Sequence, residues 1–146
     1  MDWDEFVEAA RAISWVAYLA TADAAGMPHS SVVSPGFSDD RLWVATRRES
    51  KKYRNLTVNP RAALYWPVGG EGPGELSARG SVLLHDSPAA IGRIWDSGYF
   101  SYELASFFGS PDNLSLAFVE VRLERARLLG PGFVASVWTP RRQGPV

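Results

Sequence analysis

Thr46, Ser50, Lys51 and Lys52 are the residues of this 146-residue chain best suited to hold an oxyanion, and they fall in one stretch, Leu42 to Pro60, LWVATRRESKKYRNLTVNP. Leu42-Trp43-Val44-Ala45 reads as a short apolar strand. Lys51-Lys52-Tyr53-Arg54-Asn55-Leu56 reads as a short helix ended by Asn59-Pro60. Ser50 is a good N-cap, because its hydroxyl can accept a hydrogen bond from a free backbone N–H of the first turn. Asn59 tolerates the conformation past a helix end and Pro60 prevents continuation. A strand that runs into a helix start can bind a phosphate. Hydroxyls and backbone N–H groups donate, the helix N-terminus carries partial positive charge, and ammonium groups neutralise the anion.

Charge alone leaves a second reading open. Arg47, Arg48, Lys51, Lys52 and Arg54 are five basic residues in eight, and such a run is also what a solvated basic face looks like. Within the run, Arg48 falls in the loop before the cap and is expected to matter less to an anion than the two lysines.

Other chemistries find less support. His29 and His85 are the only histidines, and two residues on separate strands, with no carboxylate at ligand spacing, make a poor metal site. No serine sits in the glycine-flanked turn of a nucleophile elbow. Gly69-Gly70 with Gly72 and Gly74 lacks the Lys-Ser/Thr of a phosphate-binding loop, and no Gly-x-Gly-x-x-Gly follows a strand. The absence of cysteine excludes disulfides, thiolate metal sites and a cysteine nucleophile.

A chain of this length is most simply one domain over 1–146 with a real core. Its formal net charge is −1, while Arg47 to Arg54 carry +4 and the remainder therefore −5. A local basic patch on an acidic chain suits a small anion better than a nucleic acid, whose binding rests on excess Lys and Arg. The N-terminus MDWDEFVEAARAI is acidic and amphipathic, unlike a secretory signal, and no apolar run is long enough to span a bilayer. A cytoplasmic protein without membrane contact is the expectation.

Periodicity supplies the frame. Trp3, Phe6, Val7, Ala10 and Ile13 share one helical face, with Asp2 and Glu5 at capping-box spacing. Ser14–Thr21 is apolar on both alternating faces and reads as a buried strand. Asp23 to Gly26 make a turn and Met27–Val33 the partner strand of a hairpin. Pro35-Gly36 ends that strand, and Ser38 to Arg41 turn the chain into the strand at Leu42. Arg61–Trp66 is a strand, Pro67 to Gly74 a flexible loop, and Glu75–His85 a long half-buried strand in which Gly80 marks a bulge or a close backbone approach. Ser87-Pro88 starts a helix and Tyr99–Phe108 suggests a second helical piece. Leu114–Leu123 and a shorter Ala126–Leu129 are the last strands, before a tail from Phe133 whose final residues are expected to be loose. Strands at hairpin spacing with few helices fit a small antiparallel barrel better than a parallel sheet. Six Trp, seven Phe and five Tyr, together with a strand apolar on both faces, suggest more apolar surface than one small barrel buries, and hence a homodimer.

Read as Thr-x-x-x-Ser-Lys-Lys followed by Asn-Leu-x-x-Asn-Pro-Arg, the basic stretch resembles the flavin-phosphate motif of the pyridoxamine 5′-phosphate oxidase-like, FMN-binding split-barrel family. The late region, with a Trp-containing helix, Leu116 to Val121, and Glu124-Arg125-Ala126 before Gly130-Pro131-Gly132, is similar to the family's general-stress-protein branch. The resemblance runs to about Gly132. It implies a mainly β (α+β) fold, an antiparallel split β-barrel with a few peripheral helices. It also implies FMN as cofactor, with FAD or the deazaflavin F420 as alternatives, bound where two protomers meet. Val44, Ala45, Thr46, Ser50, Lys51 and Lys52 would hold the phosphate, and His29, Ser30, Ser31 and Val32 would lie along the ring. Arg79, the one charge in mid-strand, would approach from the second subunit. The implied activity is an oxidoreductase acting on a small molecule, or a flavin-binding stress protein without turnover. Two departures stand out. Thr139-Pro140-Arg141-Arg142-Gln143 does not reproduce the Arg-x-His substrate motif of the vitamin-forming enzymes, and Leu128-Leu129 replace the aromatic-acidic pair of the stress-protein branch.

Overall fold

The computed structural model describes residues 1–67 and 74–141. Most of the glycine-rich loop read at 67–74, and the end of the tail, lie outside the described residues. The elements are α1 (Trp3–Ile13), β1 (Ala17–Ala22), β2 (Pro28–Val33), β3 (Gly36–Ser38), β4 (Arg41–Arg47), α2 (Lys51–Val58), β5 (Arg61–Trp66), β6 (Glu75–His85), α3 (Pro88–Trp95), α4 (Ala105–Phe108), β7 (Leu116–Leu129) and β8 (Ala135–Trp138). The described strands form one antiparallel sheet in the order β2-β1-β5-β6-β7-β4-β3, with β8 on β7. The sheet curls into a half-barrel, the split barrel expected from the sequence.

The inner face carries the main core. Leu19, Leu42, Val44, Leu64, Trp66, Leu76, Val119 and Val121 are almost fully buried, and α1 closes one mouth with Phe6 and Ala10. Phe6 meets the Trp66 ring edge-on at 5.7 Å. The box at the start of α1 is formed in full: Asp2 Oδ1 accepts from Glu5 N at 2.8 Å, and Glu5 Oε2 from Asp2 N at 2.7 Å. A second, smaller core lies outside β4 and β7, where Ile91 and Ile94 of α3 cover Trp43, Leu116 and Phe118.

Four differences from the sequence reading have physical causes. β7 is one strand of fourteen residues rather than two. The register shifts between Arg79 and Gly80, so that Glu124 of β7 has no partner opposite it and the strand bends without ending. Gly80 is required there, because a Cβ would overlap the carbonyl oxygen of Arg122. Gly36, expected to end the preceding strand, and Ser38, expected to open the turn, form with Phe37 a short strand that pairs with β4, and the turn proper narrows to Asp39-Asp40, with Asp40 in the left-handed region at φ 58°. Only Ala105–Phe108 of the second helical piece is helical. Tyr99 is held instead by the N–H of Phe37, which donates to its carbonyl at 2.9 Å, so the segment covers the β3 edge. Finally, the tail contributes β8, whose Trp138 packs 5.3 Å from Trp3.

Candidate functional site

β4 delivers the chain to the head of α2, and the geometry there follows from two hydroxyls. Thr46 ends the inward-facing row Leu42, Val44, Thr46 and is 4% exposed. Its Oγ1 lies 3.1 Å from Ser50 Oγ, and Ser50 Oγ also accepts from Tyr53 N at 3.3 Å, which makes Ser50 the N-cap of α2 as read. Asn55, buried, donates from Nδ2 to Thr21 Oγ1 at 3.1 Å and clips α2 to β1. Nothing singled out Asn55 in advance beyond its place in the Asn-Leu-x-x-Asn-Pro run. A polar amide in an otherwise apolar helical face was the available signal.

The five basic residues divide into two kinds. Arg47 donates to Phe107 O at 3.3 Å and lies over the Phe108 ring. Arg48 donates from Nε to Leu116 O at 3.1 Å and from Nη2 to Asp86 O at 2.8 Å, tying the loop to β7 and to the end of β6. Lys51, Lys52 and Arg54 form no ion pair among the described residues. Lys52 is half-buried, and that burial holds its ammonium below the usual lysine pKa. A cation that is partly desolvated with no carboxylate partner favours an anion beside it. Lys51 is exposed and stands near Asp23 of the β1–β2 turn. The Asp23 carboxyl is lowered chiefly by the N–H of Met27, with the Lys51 charge among the further causes.

Arg48 is therefore structural rather than a bystander in the loop. Arg48→Ala will lower stability by about 1.5–3 kcal/mol, because two carbonyls lose a charged donor. Chemical denaturation checks this, and a midpoint unchanged from the parent would remove Arg48 from the framework.

The other sequence-read residues are not all in one place. β2 is an edge strand whose side chains alternate: His29 and Ser31 turn to one side, Ser30 and Val32 to the exposed side. Ser31 Oγ is buried with no hydrogen-bond partner among the described residues. Val44 is in the main core and Ala45 packs against the second, so neither presents a side chain at the head of α2. Arg79 lies on the outer sheet face, in a cleft of about 440 Å³ shared with Ser30, Tyr18, Tyr65, Arg125 and Arg127. Within one chain Thr46 and Ser50 meet at the head of α2, whose first two residues are Lys51 and Lys52, and Arg79 lies on a separate surface. Arg125 and Arg127, directly opposite Arg79 and Ser77, were not anticipated.

Comparison with known proteins agrees with this architecture. A model of the family Pyridoxamine 5′-phosphate oxidase matches residues 3–130, and the chain belongs to that family. The "Pyridoxine/pyridoxamine 5′-phosphate oxidase" of Anaeromyxobacter dehalogenans (strain 2CP-C) is 50% identical over 55 residues, which cover 36% of this chain and only 28% of that protein. General Stress Protein 26 from Bacillus anthracis str. Sterne is 16% identical, with a TM-score of 0.67 over 93% of this chain and 98% of that one. A pyridoxamine 5′-phosphate oxidase-related, FMN binding protein from Nostoc punctiforme PCC 73102 is 15% identical, with a TM-score of 0.61 over 94% of each. At these identities the likeness between structures is one of fold. Among the described residues no helix is long and apolar enough to cross a membrane.

Proposed function

We propose that this protein binds FMN by its phosphate at the head of α2 and works as a flavin-dependent oxidoreductase on a small molecule. The observation that carries the reading is the pairing of the Thr46 and Ser50 hydroxyls at the head of the helix that carries Lys52, a half-buried ammonium with no carboxylate partner among the described residues. The residues fit the group. Ser50 and Thr46 can turn hydroxyls toward a phosphate, Lys51 and Lys52 supply two positive charges, and the unpartnered Ser31 Oγ lies on the strand expected to run along the ring. β2 is an edge strand, so its outer N–H and C=O groups remain available to a ligand whichever way its side chains point. FMN, when bound, supplies the reversible uptake of electrons that no side chain here can perform. The chain's share of the work is to bind it, orient it and exclude water from it.

The named oxidase among the relatives supports redox chemistry, but the present chain matches about a quarter of that protein's length and lacks the Arg-x-His motif of the vitamin-forming enzymes. The reading therefore stops at an unnamed small-molecule substrate. Protein from a flavin-replete host will show the flavin absorption bands, or take up added FMN with quenched fluorescence. Uptake of F420 without FMN or FAD would sink the FMN assignment. Uptake of FMN with no reduction by any electron donor would favour a flavin-holding role without turnover.

The same reading includes a homodimer with the cofactor between protomers. Tyr18, Val32 and Tyr65 are 44%, 57% and 37% exposed, and the register places both Val32 and Tyr65 directly opposite Tyr18. A contiguous apolar surface of this kind is what a two-fold contact covers. Light scattering at micromolar concentration will give a dimer, and a single 16.0 kDa species would remove this part of the proposal.

A further inference from the structure

A second polar cleft opens at the other end of β4, away from the Thr46–Ser50 junction. It holds about 540 Å³ and is lined by Ser38, Asp39, Arg41, Trp43, Arg93, Tyr99, Glu120 and Arg122, of which five carry charge. Its floor is aromatic. Trp43 is 4% exposed beneath Tyr99, with ring centroids 4.9 Å apart and planes 20° from parallel, and its Nε1 donates to Ser38 Oγ at 2.8 Å. The ring offered to the cleft is that of Tyr99.

The charges are arranged in a way folding alone does not call for. Arg41 and Arg122 sit directly opposite each other in the β4–β7 register, a like-charge pairing that weakens a sheet. Glu120 offsets this from beneath. It is 7% exposed, and its Oε2 accepts from Arg41 Nε at 3.2 Å and Arg122 Nε at 2.9 Å, while Oε1 lies 3.1 Å from His85 Nε2. Burial alone would raise the Glu120 carboxyl, but the Arg122 and His85 hydrogen bonds and charges outweigh it and hold it low. One buried carboxylate therefore fixes two guanidinium groups by their Nε atoms. Arg41 spends one terminal nitrogen on Asp40 O, and the terminal nitrogens of Arg122 have no partner among the described residues. Arg93, from α3 across the cleft, forms no ion pair among them either. Three arginines face two carboxylates, and Glu120 is already shared.

We propose that this cleft is a binding site for a small planar carboxylate, held by Arg122, Arg41 and Arg93 with its flat body against Tyr99. The local excess of one positive charge matches a monoanion, and guanidinium forks match the geometry of a carboxylate. An aromatic floor beside fixed cations favours a planar ligand over a compact one. This inference does not depend on the flavin reading, because none of its residues lies at the head of α2.

The test is titration of the purified full-length chain with sodium benzoate. It is followed by the nitrogen–proton NMR signals of the arginine Nε–H groups and the Trp43 indole, against sodium chloride at equal ionic strength. The signals will move saturably with a Kd of about 1 mM or tighter. Arg122→Gln and Arg93→Gln will each weaken binding at least about tenfold. Arg93 is exposed on a helix surface, so its variant keeps the fold even if Arg122→Gln does not. Arg127→Gln removes the same charge from the same face of β7 but near its far end, outside this cleft, and will leave the titration unchanged, and FMN uptake will match the parent in the Arg122 and Arg93 variants. Shifts that follow chloride equally, or that Arg127→Gln abolishes as fully as Arg93→Gln, would reduce the cluster to an internal ion network. Tighter saturation by inorganic phosphate than by benzoate would overturn the planar-carboxylate class.

Discussion

Lys52→Ala will weaken FMN binding roughly ten- to hundredfold, while riboflavin, which has no phosphate, will bind as it does to the parent. Removing a charged donor from a bond to an anion typically costs about 1.5–3 kcal/mol, which is that range of affinity. Lys51→Ala will act in the same direction but less strongly. Its ammonium is exposed, and Asp23 already stands near it, whereas Lys52 is half-buried with no carboxylate partner among the described residues. Neither change will reduce the stability of the apo-protein by much, since neither lysine makes an ion pair among the described residues. Arg54→Ala, which removes an exposed charge further along α2, is the control. Arg48→Ala is not, because that residue bonds two carbonyls of the framework. Fluorescence quenching titrations with FMN and riboflavin decide the matter. Parental affinity in both lysine variants would leave the basic run a solvated face and remove the main physical support for a phosphate site.

Gly80→Ala will destabilise the protein by about 3 kcal/mol, a fall in Tm of roughly 10 °C for a domain of this size. A Cβ at this position would overlap Arg122 O and approach Leu123 Cα to 2.9 Å. Both are backbone of the longest strand, so no side-chain rotation relieves the clash. The β6–β7 pair must splay at the bulge. The same movement separates Arg79 from Arg125, which face each other across that pair, so the outer cleft loosens as well. Scanning calorimetry measures the effect, and a Tm within about 2 °C of the parent would mean the bulge yields more easily than its geometry suggests.

How legible the molecule was depended on the range of the interaction. The anion-ready junction was readable because Thr46, Ser50, Lys51 and Lys52 are neighbours in sequence and a cap has a local signature. The capping box at Asp2 and the bulge at Gly80 were readable for the same reason. The three-residue strand β3 was hidden by its own brevity, and β8 by a sequence rich in turn formers. Each exists because a distant strand offers it an edge. Glu120 was invisible as anything but an acid within an apolar strand. Its meaning comes from Arg41, His85 and Arg122, two of which arrive on other strands. The alternation of His29 to Val32 between two sides was implicit in their being a strand, and reading all four as one lining overlooked it.

β7 has a consequence for how the protein comes to be made. It pairs with β6 along one edge, and with β4 and then β8 along the other, so the barrel wall is built around a strand that is synthesised after both of its long partners. Until Leu116 and the residues after it leave the ribosome, Leu42 and Val44 have only the short β3 beside their strand, and the inner face of β6 stands open. The nascent chain must hold this apolar surface unpaired until β7 emerges, then close several long loops together. Nascent chains stalled before β7 will be sticky and rich in strand edges. In the cell, the yield of this protein will depend on chaperone supply more steeply than its finished stability would suggest.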